Sequence, residues 1–452
     1  MASLRNLPGT TFKERTRSLG IWLLPGMQVK RWLSLMLIGM VTMSVGLAIW
    51  IDLRPVFRTG QLLEVLITSI ARMIPNDISG PLAVLAGLGI IFWGLYNTLF
   101  SITEVLVPDG EAPDLANRVL THRRLSRGAR IVAIGGGTGL STLLRGLKKY
   151  SSNITAVVTV ADDGGSSGRL RKEFGALPPG DLRNCLAALA DEEKLLTELF
   201  QYRFPKSTSA QSDAGLAGHS FGNLFLTVMA EIAGDWEKGL AAASEVLAIR
   251  GQVLPSTVEN VTLWADLEDG RRIEGESNIP ESGGRIKRVG CIPEAPRALP
   301  RVLQAIAEAD LIIIAPGSLF TSIIPNLLVP EIAQALRTTA ALTVYVSNLV
   351  VQAGETEGFT VSDHIKAIEA AAGGRFIQTV LVQKDTPQLH HQVKGTVIPV
   401  DREALAFMGL QLLGADVIEK TSTAAIRHNS PRLARVLMHW YGKRNQQPRK
   451  TA

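Results

Sequence analysis

The stretch that most restricts the possible folds is RIVAIGGGTGLSTLLRGLKKY, which runs from Arg130 to Tyr150. A short apolar segment is interrupted by glycines and then continues with leucines at the spacing of one helix face. This pattern predicts a buried strand, a tight turn and an amphipathic helix. Helix amides that face a glycine turn favour an anion, so the turn is a candidate phosphate site. The candidate residues are Gly135, Gly136, Gly137, Thr138 and Gly139.

This glycine turn fits neither of the two familiar phosphate-binding patterns. A dinucleotide fingerprint that starts at Gly135 needs its third glycine where Leu140 stands, and a Walker A loop needs lysine directly after Gly139. The turn could still bind an anion through its backbone amides, but it is neither a dinucleotide fingerprint nor a Walker A loop. A purely structural tight turn is the alternative at this point.

Later segments of the chain predict a parallel sheet. TAVVTVADD, ADLIIIAPGS and ALTVYVSNLV are typical of buried parallel strands that end in polar loops, with helices such as 182–189 and 330–336 between them. In VTLWADLEDGRRIEGE, residue types alternate on both sides of Asp269 and Gly270, as in two strands joined by a turn, which predicts an antiparallel hairpin. The expected fold class is α/β, a Rossmann-like doubly wound and mostly parallel sheet with a small β-hairpin insertion. Its ligands should lie at the carboxyl ends of the strands.

Two uncharged runs near the start, 32–51 and 78–103, are long enough to span a bilayer. Basic residues precede the first run and follow the second, which predicts a multi-pass cell-membrane protein with both termini and the large domain in the cytoplasm. A cleaved signal peptide is the alternative for the first run, but that run begins late and a second one follows. The predicted segments are a basic N-terminus (1–31), a two-span membrane hairpin (32–104), a linker (105–128), a nucleotide-binding domain (129–442) and a basic tail (443–452).

Composition restricts the partners of the chain. The two cysteines, Cys185 and Cys291, lie far apart in sequence and are expected to be reduced thiols. The formal net charge is +6, but the basic residues cluster beside the apolar runs and at the tail. Without interleaved aromatic and basic residues, no nucleic-acid partner is expected.

The second polar loop, ADDGGSSGRLRKEFGALPPGDLRN, combines carboxylates with phosphate donors. Adjacent carboxylates suit a ribose hydroxyl or a hydrated Mg²⁺, which is the one cofactor suggested, with Asp162 and Asp163 as its ligands. Alternatively, Asp163 caps a turn and Asp162 is solvated, and Asp181 is either a helix cap or a ligand. The candidate binding residues are Asp162, Asp163, Gly164, Ser166, Ser167, Arg169 and Asn184.

Two further motifs supply candidates. GHSFGNLFL places His219 and Asn223 one turn apart at the head of an apolar helix, where a buried histidine bonded to backbone is the alternative. No second His or Cys stands at metal spacing, so zinc is not expected. APGSLFTSIIPNLLV offers a second set of donors, which implies a ligand long enough to touch two loops, although a structural turn and cap would also explain it. These donors are Pro316, Gly317, Ser318, Thr321 and Asn326, joined by Asn348 after the next strand.

Four ordered motifs resemble the YvcK branch of the family that also contains the 2-phospho-L-lactate transferase, CofD. They are IGGGTGLSTLLRGLK, VTVADDGGSSGRLRKEFGALPPGDLRNCLAALA, GHSFGNLFL and APGSLFTSIIPNLLV. The resemblance implies a Rossmann-like sheet, UDP-sugar binding, and roles in cell shape and in growth on gluconeogenic carbon sources. In the transferase branch, acidic residues of the loop that corresponds to Asp162 and Asp163 hold Mg²⁺. Here the loop continues GGSSGRLR, which resembles the YvcK form.

The sequence therefore predicts a membrane-tethered, cytosol-facing regulatory protein that binds a nucleotide sugar and reports envelope precursor supply. Its expected partners are the nucleotide ligand, the membrane, envelope-synthesis or cell-shape proteins, and a second copy of the chain. The alternative is a Mg²⁺-dependent transferase that uses a nucleotide-activated phosphorylated donor. A dinucleotide oxidoreductase is a third class, and Leu140 disfavours it. Whether the chain is an enzyme stays open.

Overall fold

The computed structural model describes residues 115–191, 193–205, 215–384, 396–419 and 426–446, together with isolated positions before residue 100. The chain divides into two units, Met1–Arg123 and Arg124–Ala452. The predicted membrane runs, 32–51 and 78–103, lie outside the described residues apart from those isolated positions, and they stay predictions. Within the described ranges no single helix has the length and apolarity to cross a bilayer. One pair of consecutive helical segments, Leu319–Leu327 and Pro330–Thr338, is together long and apolar enough to cross a bilayer, but the two segments are bent by 79° relative to each other.

In the described residues, ten strands form where the chain has short runs of β-branched and other apolar residues. They are β1 Ile131–Gly135, β2 Ile154–Val158, β3 Gln252–Pro255, β4 Thr262–Leu267, β5 Arg272–Glu274, β6 Ile286–Ile292, β7 Leu311–Ile314, β8 Leu342–Val346, β9 Thr379–Gln383 and β10 Gln411–Ala415.

The described helices lie before, between and after these strands, and several begin at a proline, as expected for the first helical position. They are α1 Leu115–Ser126, α2 Gly137–Leu147, α3 Gly165–Phe174, α4 Pro179–Leu189, α5 Glu193–Gln201, α6 Phe221–Ala233, α7 Trp236–Val246, α8 Asn278–Glu281, α9 Pro300–Glu308, α10 Ile324–Leu327, α11 Pro330–Thr338, α12 Val361–Ala371, α13 Arg402–Phe407 and α14 Ser430–Gln446. A π-helical turn, Leu319–Ile323, leads into α10.

Seven strands form one sheet in the order β10-β9-β8-β7-β1-β2-β3, and every neighbouring pair is parallel. The chain builds outward from β1 to β3 and then returns to place β7 on the other side of β1. The predicted α/β class with a mostly parallel sheet is therefore confirmed. The order reverses between β1 and β7, and open α/β sheets bind ligands at such a switch point, beside the carboxyl ends of the strands.

The two faces of the sheet carry separate apolar cores, because alternate residues of a strand point to opposite sides. Val132 and Ile134 of β1 pack with α9, α11 and α12, whereas Ile131 and Ala133 pack with α2, α4 and α14. Since both faces are covered, the central strands β1, β2 and β7 are buried along their length. Only the strand ends are left to form a site.

A small antiparallel sheet is inserted between β3 and β7, in the order β5-β4-β6. The predicted hairpin is confirmed as β4 and β5, which pair antiparallel around Asp269 and Gly270. The sequence did not indicate β6, which pairs along the other edge of β4. This insertion matters for the site because the segment after β5 contacts the second polar loop.

Candidate functional site

The three predicted turns meet at the switch point of the sheet. A Cβ atom added to Gly139 would lie 1.8 Å from the carbonyl oxygen of Pro316, so the first and third turns are in direct backbone contact. A Cβ atom added to Gly136 would lie 2.6 Å from Oδ2 of Asp181 and 2.7 Å from Cγ2 of Thr159. The glycines of the first turn thus allow close packing of three segments of protein.

The first turn already has an acceptor for one of its amides. The N–H of Gly137 donates to Oδ2 of Asp181 at 2.6 Å. Asp181 lies in the first turn of α4, whose N-cap is Pro178, and its carboxylate reaches across to another element rather than capping its own helix. The pKa of Asp181 is raised to about 6, chiefly by burial and also by the Asp162 carboxylate, while the Gly137 N–H and Arg183 act in the opposite direction.

The second turn opens onto a cavity of about 260 Å³. Helix α3 begins after Gly164 and α4 begins after Pro178, and neither N-cap makes a side-chain hydrogen bond. Residues at the start of both helices, Gly165 in α3 and Gly180 in α4, line the cavity, so amides of two helix starts lie beside the same space, where they would favour an anion. The lining residues are Asp162, Gly164, Gly165, Ser166, Ser167, Gly180, Asp181, Arg183, Asn184, Arg203 and Asn223.

Two guanidinium groups add positive charge to this pocket. Arg183 is buried and donates to Oγ of Ser220 at 2.5 Å and to Oδ1 of Asn184 at 3.1 Å. Its pKa is lowered by burial and then by the positive charge of Arg203, which also lines the pocket. An anion bound between two guanidinium groups would relieve their mutual repulsion, so the pair favours a phosphate ligand.

Ser166, His219 and Asn223 form a buried group beside the pocket. Oγ of Ser166 lies 3.0 Å from Nδ1 of His219, and Nδ2 of Asn223 donates to the same Oγ at 3.1 Å. His219 precedes the helix N-cap, Ser220, so it is not one helical turn from Asn223 as predicted. Both side chains nevertheless reach Ser166. Burial and then the charge of Arg169 lower the pKa of His219.

The two adjacent aspartates have different contacts. Asp163 accepts hydrogen bonds from the amide of Glu276 at 3.0 Å, the amide of Ser277 at 2.9 Å and the hydroxyl of Ser277 at 2.7 Å. It therefore fastens the inserted sheet to the second turn, in line with the turn-capping alternative. Asp162 lines the pocket and accepts the amide of Gly164 at 2.9 Å.

The segment held by Asp163 brings a further carboxyl group to the site. Glu276 is half-buried, and burial, followed by the charges of Asp162, Asp163 and Asp181, raises its pKa to about 8. In the described part of the chain, no group of three or more His, Cys, Asp or Glu side chains is arranged to hold a metal ion. Asp163 is engaged elsewhere, which leaves Asp162 and Asp181 as the two carboxylates that would share a hydrated Mg²⁺.

The donors of the third turn are bonded to protein. The amide of Gly317 donates to Oδ1 of Asn348 at 2.9 Å, and Nε2 of Gln352 donates to Oγ of Ser318 at 2.6 Å. The hydroxyl of Thr321 donates to Oε1 of Glu355 at 3.0 Å. These side chains hold the turn in shape.

Asn326 connects the third turn to the first. Its Nδ2 donates to the carbonyl oxygen of Gly135 at 3.2 Å, and the residue is fully buried. Like Pro316, Gly317, Ser318, Thr321 and Asn348, it contributes to the rim and does not line the 260 Å³ pocket.

Six of the predicted site residues line the pocket, namely Asp162, Gly164, Ser166, Ser167, Asn184 and Asn223. His219 lies behind Ser166, and Arg169 donates to the carbonyl oxygen of Ala217 at 2.8 Å. Sequence reasoning missed Arg183 and Arg203. Arg183 lies in the predicted helix 182–189 and directly follows the candidate residues around Asp181, so its position in the sequence could have indicated it. Arg203 carries no local signal.

A second groove of about 500 Å³ lies at the opposite edge of the sheet, at the amino ends of β1, β2 and β3. Its arginines are paired with carboxylates of the chain. Arg130 lies 3.9 Å from Glu308, and Arg301 lies 3.5 Å from Glu237. Because ligands of this fold class bind at the carboxyl ends of the strands, the smaller pocket is the candidate site.

Comparisons with known proteins agree with this architecture. The family profile of 2-phospho-L-lactate transferase CofD matches residues 131–418. A relative from Nostoc sp. is 56% identical over 427 residues, which cover 93% of this chain and 92% of the relative. The Gluconeogenesis factor of Bacillus subtilis is 48% identical over 314 residues, covering 68% of this chain and 97% of that protein. A crystal structure of a Bacillus halodurans protein aligns with a TM-score of 0.64 and 43% identity, over 69% of this chain and 100% of that one.

Proposed function

We propose that this chain, which belongs to the 2-phospho-L-lactate transferase CofD family, binds a nucleotide sugar and acts as a regulatory protein. Within that family it groups with the gluconeogenesis factors. The diphosphate of the ligand would occupy the 260 Å³ pocket at the second turn. The nucleoside and the sugar are too large for that volume and would extend along the rim that the first and third turns form.

The convergence of positive charge on the pocket carries this proposal. The amino ends of α3 and α4 each contribute uncapped amides, and Arg183 and Arg203 add two full charges. A diphosphate offers several acceptor oxygens and at least two negative charges, so it matches such a set of donors.

A second candidate function is a Mg²⁺-dependent transferase that uses a nucleotide-activated phosphorylated donor. The position of Asp162 and Asp181 on the same pocket favours it, because two carboxylates beside a diphosphate repel the ligand unless a cation lies between them. Mg²⁺ bound there would neutralise the diphosphate and orient its leaving group. Asp181 would hold the metal with one oxygen while the other keeps the Gly137 amide.

Membrane tethering belongs to the same proposal. Among the isolated described positions, Ile78, Leu85 and Trp93 are helical and carry exposed apolar side chains, as residues that face lipid would. The match to the Nostoc relative covers 93% of this chain and so reaches into the region before residue 131. A fluorescent reporter fused to the carboxyl end should fluoresce in cells. A reporter active only outside the cytoplasm would refute the proposed topology.

Binding of UDP-glucose and UDP-N-acetylglucosamine to the full-length chain, measured by calorimetry, tests the proposal. The Arg203→Ala variant should raise the Kd about tenfold, because a charge-assisted contact to phosphate is lost. Arg301→Ala, which removes an arginine from the opposite groove, is the matched control and should change the Kd less than about twofold. Absence of binding by any nucleotide sugar at millimolar concentration would contradict the proposal. Steady Mg²⁺-dependent turnover that Asp162→Asn abolishes would select the transferase.

A further inference from the structure

We propose that Ser166 and His219 are a nucleophile and its general base, and that the pocket cleaves a phosphodiester or phosphoanhydride bond of its ligand through a covalent seryl intermediate. This inference rests on the proposed phosphate site and adds a reaction to it. The sequence did not indicate such a pair, since the serine stands in no nucleophile elbow and the two residues are 53 positions apart.

The hydrogen bonds around Ser166 orient its hydroxyl group. Nδ2 of Asn223 donates to Oγ at 3.1 Å, so one lone pair of the oxygen is used. Oγ also lies 3.0 Å from Nδ1 of His219, and in the tautomer that carries its ring hydrogen on Nε2 this nitrogen accepts the hydroxyl hydrogen. A serine whose proton points to an imidazole nitrogen at this distance meets the geometric condition for an activated nucleophile.

The imidazole is held in place behind the serine. The backbone amide of His219 donates to the carbonyl oxygen of Leu216, and its carbonyl oxygen accepts the amide of Phe204, both at 3.0 Å. Burial and the charge of Arg169 lower the pKa of His219, so at neutral pH the ring is uncharged and able to accept a proton. Ser166 lines the pocket and His219 does not, so the nucleophile stands between its base and the ligand.

The pocket also contains groups suited to the transition state. Ser166 is the second residue of α3, and the uncapped amides around it face the space where a phosphoryl oxygen gains charge. Asn223 lines the same pocket, is 2% exposed, and has an Oδ1 atom without a hydrogen-bond partner. A buried acceptor of this kind is normally satisfied, so it indicates that a ligand or water hydroxyl donates to it.

The reaction is balanced in two steps. First, Oγ of Ser166 forms a bond to the phosphorus, the bond from phosphorus to the leaving oxygen breaks with its electron pair on that oxygen, and the hydroxyl proton passes through His219 Nδ1 to the leaving group. Second, water attacks the phosphorus and gives its proton to His219. The bond to Oγ then breaks, and Oγ takes that proton back. The net change is one water consumed for each bond cleaved.

A chromogenic phosphodiester, the p-nitrophenyl ester of thymidine 5′-monophosphate, tests this reaction on the full-length chain. Rapid mixing should give a burst of about one p-nitrophenolate per chain, and mass spectrometry should find a nucleotidyl group on Ser166, because the good leaving group makes the first step the faster one. Ser166→Ala should abolish both signals. Ser244→Ala removes a hydroxyl that donates to the carbonyl oxygen of Leu240 on α7, outside the pocket, and should keep the burst.

The pH dependence of the burst tests the role of His219 in the wild-type chain. Its rate should rise with pH and level off, with a midpoint below the ordinary histidine value of 6.5, because only the neutral ring accepts the proton. His219→Asn should slow the burst at least about 100-fold. Two results would overturn the inference and leave the binding proposal standing. In the first, the chain binds UDP-glucose in calorimetry but shows no burst; in the second, the nucleotidyl adduct forms on a residue other than Ser166. A chain that binds no nucleotide sugar refutes the binding proposal itself.

Discussion

The first and second glycine turns share a sequence plan, a buried strand followed by glycines and a helix, yet they differ in what their amides contact. In the first turn, the Gly137 amide is bonded to Asp181, and Gly139 is pressed against Pro316. In the second, α3 begins without a side-chain cap and faces a 260 Å³ pocket. The first turn holds protein segments together, and the second leaves room for a ligand.

This difference shows that a glycine-rich turn has two distinct uses. Glycine permits close backbone approach, and the approaching group is either a ligand or another part of the chain. A turn whose amides are already bonded to a carboxylate offers little to a phosphate. Arg183 and Arg203 lie beside the second turn, and Asp181 accepts the Gly137 amide of the first, so the second turn is the proposed anion site.

Matched alanine substitutions in the two turns should give the largest contrast. Gly139→Ala places a Cβ atom 1.8 Å from a backbone oxygen, which cannot move without separating two strands, so we expect a loss of about 4 kcal/mol or more or no folded protein. Gly165→Ala has nothing within 4 Å of the new atom, and its φ of +49° should cost about 1 kcal/mol. Thermal unfolding measures both. Equal losses in stability would mean that the first turn is not close-packed.

Two carboxyl groups should distinguish the turns by the pH range in which each changes the stability. The folded pKa of Glu276 is about 8, above its ordinary 4.5, and that of Asp181 is about 6, above 3.8. Each group stabilises the fold below its unfolded pKa, and this stabilisation is lost as the pH rises through the folded value. The Tm should therefore fall between pH 4 and 6 through Asp181, and up to pH 8 through Glu276.

Glu276→Gln should remove the upper part of this fall, with a gain of about 2 kcal/mol at pH 8.5 after allowance for partial solvent exposure. Asp181→Asn should remove the lower part, and the remaining amide oxygen still accepts the Gly137 amide. A Tm that stays constant from pH 4 to 8 in the wild-type chain would show that neither carboxyl group is as desolvated as the structure indicates.

The smallest expected effect is a change in ligand affinity when one hydroxyl group is removed from each turn. Ser167 is buried and lines the pocket, so Ser167→Ala should raise the Kd for UDP-glucose about fivefold through the loss of one hydrogen bond. Thr138 is exposed on the first turn, and Thr138→Ala should leave the Kd within about twofold. If Thr138→Ala were the more damaging change in calorimetry, the ligand would lie on the first turn.

Much of the fold was accessible from local sequence patterns. The run before Gly135 predicted β1, the alternation around Asp269 predicted the β4–β5 hairpin, and the proline at residue 330 marked the start of α11. Each of these depends on residues within a few positions of one another. Burial on both faces of a strand also follows from an unbroken apolar run, which is why the parallel sheet was predicted correctly.

The sequence by itself determined that the chain forms an α/β sheet with polar turns at one edge, because hydrophobic period and turn chemistry are properties of neighbouring residues. Only the tertiary structure decided which turn is open. The partners that make the difference come from distant elements: Asp181 lies 44 positions from Gly137, and Ser166 lies 53 positions from His219. A sequence pattern predicts which residue carries a hydrogen-bond donor. Whether that donor is already bonded to protein or is open to a ligand depends on which residues the fold places next to it.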